Sequence, residues 1–108
     1  MEIELFAFKD YTGIRLSGRL DTITSSELET AINEILDKGT LNLIIDFAEL
    51  TYLCSSGLRV FLVAAKKLDL KGKKIIFCGM RDYIKEVFDI AGFTGLFTFF
   101  NVCEEIIK

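Results

Sequence analysis

The hydrophobic pattern opens with two short runs that are typical of strands. Residues 3–9 and 13–17 carry β-prone side chains in partial alternation, and the turn-like residues 10–13 lie between them. Because only a tight turn separates the two runs, they predict an antiparallel hairpin at the start of the fold.

Longer stretches then place apolar residues at helical spacing. In the first, Thr24 and Glu27 have the spacing of a capping box, so a helix is predicted to begin there. Further helices are predicted from the segment 55–57 to about Leu70, over residues 84–91 and, as a last small helix, over residues 102–108. The pattern thus indicates about four helices.

Short apolar runs with β-prone residues separate these helices. They cover residues 41–47, 73–78 and 97–100, and the first two are nearly continuous, as in strands covered on both faces. Strands that alternate with helices imply right-handed crossovers and parallel pairing. The sequence therefore predicts an α/β fold with a mixed, mostly parallel sheet that is opened by an antiparallel hairpin.

Composition narrows the class of function. A chain of 108 residues, 51% hydrophobic, predicts a single domain over residues 1–108. A net charge of −3 disfavours a nucleic-acid partner. Histidine is absent, which removes the usual neutral-pH base, Ser-His and Cys-His pairs and most zinc sites. We therefore expect no catalytic residue, no metal and no cofactor.

The cysteines and the longest apolar runs bear on location. Cys54, Cys78 and Cys103 are widely spaced and form no CxxC pair, which predicts reduced thiols. The longest apolar stretch, residues 60–65, is far below the ~20 residues that cross a bilayer. Both features predict a cytoplasmic protein without membrane contact. Crowded phenylalanines predict an apolar surface for self-association or partner docking, at Phe93, Phe97, Phe99 and Phe100.

Two strand-to-helix turns, residues 18–21 and 53–57, are the candidate site, because ligands and partners of such sheets bind where strands end. A serine in the first turn of a helix lies beside unpaired N–H groups that stabilise negative charge. Ser55 or Ser56 therefore either caps the second helix or marks a site for a phosphate group.

A resemblance to a known family favours the second interpretation, in which this turn is a site for a phosphate group. The stretch 43–62, which contains Cys-Ser-Ser-Gly-Leu-Arg, resembles the signature of bacterial anti-sigma factor antagonists, a branch of the STAS domains (sulfate transporter and anti-sigma antagonist). The segments 18–21, 71–72 and 91–93 are similar to that family in type and spacing. The resemblance covers essentially the whole chain.

This resemblance implies a partner switch. In such families a GHKL-type kinase, which is also the anti-sigma factor, phosphorylates the serine two positions before the signature glycine, here Ser55, and a phosphatase resets it. Binding of the unphosphorylated protein releases the sigma factor. The residues expected to contact the partner are Asp21, Cys54, Ser55, Ser56, Gly57 and Arg59. Cys54 departs from the family, which often has Asp or Ser there.

Four points stay open. Asp46 is expected near the same edge of the sheet, either in the site or tying down a loop, and Gly57 allows close approach to the sheet or to the partner. Cys54 to Arg59 also has the shape of a rhodanese-type loop, although a rhodanese has a longer insert after its Asp-bearing strand and a histidine-containing segment. A further alternative is a STAS accessory or scaffold module of a transporter or signalling complex.

Overall fold

The computed structural model describes residues 1–39, 42–92 and 98–100. In chain order the elements are β1 (Glu2–Phe8), β2 (Tyr11–Leu20), α1 (Thr22–Asp37), β3 (Asn42–Leu53), α2 (Ser55–Leu70), β4 (Ile75–Cys78), α3 (Asp82–Ile90) and β5 (Thr98–Phe100). The sheet order is β1-β2-β3-β4-β5, with β1 antiparallel to β2 and every other pair parallel.

The predicted α/β class, the opening hairpin and the mostly parallel sheet are confirmed. The described part of the chain contains three helices rather than about four. The predicted last helix, over residues 102–108, lies outside the described residues. So do the side chains of the predicted aromatic patch, Phe93, Phe97, Phe99 and Phe100.

Strand β3 is longer than predicted, because it continues past Phe47 to Leu53. Its register with β2 shifts twice: Arg15 pairs with Asp46 but Ser17 with Glu49, and a second shift follows Gly18. Each shift adds one residue to β3, as a β-bulge does. The bulges interrupt the alternation of buried and exposed residues. Apolar residues in the second half of β3 therefore do not recur at every second position of the sequence.

Helix α1 also begins earlier than predicted. Its N-cap is Asp21, and Thr24 occupies the third helical position of the capping box. The predicted pairing of Thr24 with Glu27 is therefore wrong. Thr22 and Ile23 in the first turn are exposed, so the hydrophobic periodicity starts one turn after the helix does.

All three described helices contribute to one hydrophobic core with the inward side chains of the sheet. Four buried phenylalanines lie at its centre, with ring centroids 5.2 to 6.4 Å apart: Phe47, Phe61, Phe77 and Phe88. These rings join α2 and α3 to adjacent strands. This packing fixes the N-terminal end of α2 at the edge of the sheet where β3 ends.

The cysteines differ from the prediction in one respect. Cys54 is a free thiol, but Cys78 is disulfide-bonded, so the prediction that all thiols are reduced is wrong at Cys78. The positions of cysteines along the sequence do not show which of them come close enough in the folded protein to form a disulfide. None of the helices within the described ranges is long and apolar enough to cross a membrane.

Candidate functional site

The two predicted turns lie side by side at one edge of the sheet. Leu20 and Leu53 are in register as the last residues of β2 and β3, and a single residue separates each strand from its helix. The Cys54 backbone N–H donates to the Leu20 carbonyl at 3.0 Å. The N-terminal ends of α1 and α2 are therefore neighbours, as the sequence predicted.

Asp21 caps α1 at this edge. Its Oδ1 accepts hydrogen bonds from the backbone N–H groups of Thr24 at 2.9 Å and Ile23 at 3.1 Å, while the Asp21 N–H donates to Thr24 Oγ1 at 2.8 Å. Because the Thr24 backbone and hydroxyl stabilise the carboxylate, the pKa of Asp21 lies below its usual value. Asp21 thus has a structural role, and its carboxyl stays charged at neutral pH.

Cys54 occupies the N-cap position of α2, so the reading of Ser55 or Ser56 as the helix cap is wrong. Its Sγ lies 3.8 Å from Ser25 Oγ, a buried hydroxyl that donates to the Asp21 carbonyl at 2.6 Å. Partial burial raises the pKa of the Cys54 thiol, but the nearby Gly57 backbone and Ser25 hydroxyl outweigh it, and the net pKa is lowered.

Ser55 is the first residue of α2 and is exposed, whereas Ser56 is half-buried. The backbone N–H groups of Ser55 and Ser56 have no carbonyl acceptor within their own helix, whereas the Gly57 N–H donates to the Cys54 carbonyl at 3.1 Å. The Ser55 hydroxyl is therefore accessible to another protein, in surroundings that favour negative charge.

Gly57 is buried and faces the sheet. A β-carbon there would lie 2.6 Å from Leu20 Cδ2 and 2.8 Å from Leu53 Cδ1. Of the two predicted roles, close approach to the sheet is the one that the structure shows. A larger residue would displace α2 before it touched a partner.

Arg59 lies on the exposed side of α2 and lines a shallow groove between α1 and α2. The groove has a volume of about 190 Å³ and is lined by Thr22, Ser25, Ser26, Glu29, Ser56, Arg59 and Val60. Within the described part of the chain, Arg59 forms no hydrogen bond or ion pair. The edge therefore presents the Arg59 guanidinium, without a described partner, on the same helix as Ser55 and Ser56.

Sequence reasoning missed three residues of this edge. The Arg19 guanidinium carbon lies 4.2 Å from the centroid of the Tyr52 ring, a cation–π contact between residues in register on β2 and β3. Ile23, in the first turn of α1, is 76% exposed. Arg19 lies inside the segment 18–21 that the sequence singled out, but the bulges in β3 hid its pairing with Tyr52.

Asp46 lies elsewhere. It is buried in the middle of β3, where Oδ2 accepts from Arg15 Nε at 3.1 Å and Oδ1 from the Ala48 N–H at 2.9 Å. Asp46 and Leu53 are in register with Arg15 and Leu20, which lie five residues, or roughly 17 Å, apart on β2. Its predicted position near Ser55 is therefore wrong. Asp46 is structural, but it accepts its bonds from residues within β2 and β3 and does not tie down a loop.

Comparisons with known proteins agree with this architecture. The family model for the STAS domain matches residues 6–106. BtrV of Bordetella bronchiseptica, named as a candidate anti-sigma factor antagonist, is 33% identical over 86 residues, which are 80% of this chain and 74% of that protein. The anti-sigma-B factor antagonist of Staphylococcus epidermidis is 29% identical over 96 residues, or 89% of both chains.

A solved structure shares the fold over nearly its whole length. The anti-sigma factor antagonist SpoIIAA in its unphosphorylated form superposes with a TM-score of 0.78 at 20% identity, covering 98% of this chain and 94% of that one. SpoIIAA has also been solved in a phosphorylated form. At 20% identity, the similarity between SpoIIAA and this chain is a similarity of fold.

Proposed function

Because this chain belongs to the STAS domain family, we propose that it is an anti-sigma factor antagonist controlled by phosphorylation of Ser55. Residues 1–108 then act as one STAS domain. The partner is an anti-sigma factor that is also a GHKL-type serine kinase, and binding releases the sigma factor to act in transcription.

The observation that carries this proposal is the position of Ser55. It is an exposed hydroxyl at the first residue of α2, next to the cap of α1, on an edge formed by two helix N-termini. A kinase needs an accessible hydroxyl, and Ser55 is the serine for which the family resemblance implies phosphorylation. Asp21, Cys54, Ser56 and Arg59 surround it and form the partner surface in this proposal.

Phosphorylation changes that surface in a simple way. A phosphate adds nearly two negative charges and three acceptor oxygens where the partner had met a neutral hydroxyl. Binding is therefore weakened in the phosphorylated state until a phosphoserine phosphatase removes the group. The protein itself is not an enzyme in this scheme, binds no cofactor, and works in the cytoplasm with its kinase.

The test is intact-protein mass spectrometry after incubation with ATP and each candidate GHKL-type anti-sigma kinase from the same genome. We expect one added phosphate, about 80 Da, on the wild type. Ser55→Ala should gain none, because it lacks the acceptor oxygen. Ser56→Ala, which removes the neighbouring hydroxyl of the same turn, should still gain one.

Circular dichroism spectra of both variants serve as the control that the fold is retained. If Ser55→Ala gained a phosphate and Ser56→Ala did not, the phosphorylated residue would be Ser56, against the proposal. Tight binding to a kinase without any phosphate transfer would indicate a constitutive antagonist or scaffold, in which Cys54 marks the loss of phosphoregulation.

A further inference from the structure

Arg59 lies four residues after Ser55 in α2, and both are exposed. Residues with this spacing share one face of a helix, with β-carbons about 6 Å apart. Long side chains on helices lean toward the N-terminus. The Arg59 guanidinium can therefore reach over the turn that begins with Ser55.

The guanidinium is also unoccupied. Arg59 makes no ion pair or hydrogen bond with any described residue, and Glu29 of α1, which lines the same groove, forms no ion pair with it. Arg19, the other arginine at this edge, stacks on Tyr52. Among the described residues of this edge, Arg59 is thus the arginine that is free to bind a new anion.

We propose that Arg59 binds the phosphate group of phosphorylated Ser55 within α2, and that this contact withdraws the guanidinium from the partner surface. The proposal rests on the phosphorylation of Ser55 proposed above. In the unphosphorylated protein, Arg59 is available to an acidic group of the partner. One phosphate then both adds negative charge to the surface and occupies one of its positive charges.

Other charged groups lie on the elements beside the first turn of α2. Asp21 at the cap of α1, Glu29 in the groove and any thiolate at Cys54 oppose a phosphate, while Arg19 of β2 favours it. Arg59 shares a helical face with Ser55, because it is the next exposed residue on that face. Its removal should therefore outweigh the effect of any more distant charge.

The experiment uses full-length protein with phosphoserine incorporated at position 55 during translation, so that no kinase is needed. Titration followed by ³¹P NMR gives the second pKa of the phosphate, which is ordinarily about 6. We expect a lower value in this protein, and a value about 0.5 higher in Arg59→Gln than with Arg59 present. Arg59→Lys, which keeps the charge, should fall between the two.

Lys66→Gln is the matched control, since it removes one exposed positive charge farther along the same helix. The second pKa of its phosphate should equal that of the protein that retains both Arg59 and Lys66. Equal values for Arg59→Gln and its parent, or an equal shift in Lys66→Gln, would overturn the proposal. Failure of every kinase to modify Ser55 would instead count against the proposed function and leave this titration unaffected.

Discussion

At the scale of single residues, Asp21 shows how one side chain organises the edge. Its carboxylate satisfies two N–H groups at the start of α1, and its backbone carbonyl accepts from Ser25, which lies against Cys54. Asp21 therefore positions the first turn of α1 beside the first turn of α2. The proposed partner surface therefore depends on this cap.

Replacing Asp21 tests the cap through its dependence on pH. The folded-state pKa is lowered, so the cap stabilises the protein above the ordinary pKa of about 4 and loses this effect as pH falls through the folded value. Asp21→Ala should lower the melting temperature at pH 7, and the difference from wild type should shrink as the medium is acidified below about pH 4.

Asp21→Asn provides the matched control, because Asn caps helices as well as Asp but does not titrate. It should melt close to wild type at pH 7 and show less loss of stability in acid. Differential scanning calorimetry from pH 7 to pH 3 measures both variants. A constant difference between Asp21→Ala and wild type over that range would contradict the assigned role.

At the scale of elements, the position of α2 depends on the absence of a side chain at Gly57. The Leu20 and Leu53 side chains fill the space that a β-carbon would need, so α2 lies close to the ends of β2 and β3. This close contact places Ser55 at the rim of the sheet. A glycine in the first turn of α2 is therefore explained by packing rather than by backbone conformation.

Gly57→Val should destabilise the protein by about 1–3 kcal/mol, the usual cost of overpacking a filled core. Ser55→Val is the matched control, since it places the same side chain on the exposed side of the same turn. Urea denaturation gives the free energy of unfolding for each.

Adding Leu20→Ala should relieve part of the overpacking, so the double variant should lose less stability than the sum of the two single changes. Additive losses would mean that Leu20 is not what resists the larger side chain.

At the scale of the whole molecule, the four phenylalanine rings connect the edge to the rest of the fold. Phe47 contacts rings from α2, β4 and α3 and is completely buried. Edge-to-face packing of these rings adds to the burial of their area. The orientation of α2, and with it the position of Ser55, is thus determined by contacts in the centre of the domain.

Phe47→Ala should reduce the free energy of unfolding by about 3–5 kcal/mol because it opens a cavity among the other three rings. Domains of this size have total stabilities of about 5–15 kcal/mol, so Phe47→Leu serves as a milder variant that stays folded. Tyr83→Ala, an exposed aromatic residue of α3, should have a much smaller effect in the same urea titration. Similar losses for Phe47→Ala and Tyr83→Ala would rule out the ring cluster as the centre of the core.

The sequence by itself determined the fold class, the opening hairpin, the extent of α2 and the two turns that form the candidate site. These features follow from hydrophobic periodicity and turn chemistry, which act between residues close together in the chain. Only the tertiary structure decided where β3 ends, that Asp21 rather than Thr24 caps α1, and that Arg19 stacks on Tyr52. It also placed Asp46 in the middle of β3 and Gly57 against the sheet. The reason is that bulges, strand register and contacts between distant residues depend on how the strands pair, and no local pattern records that pairing.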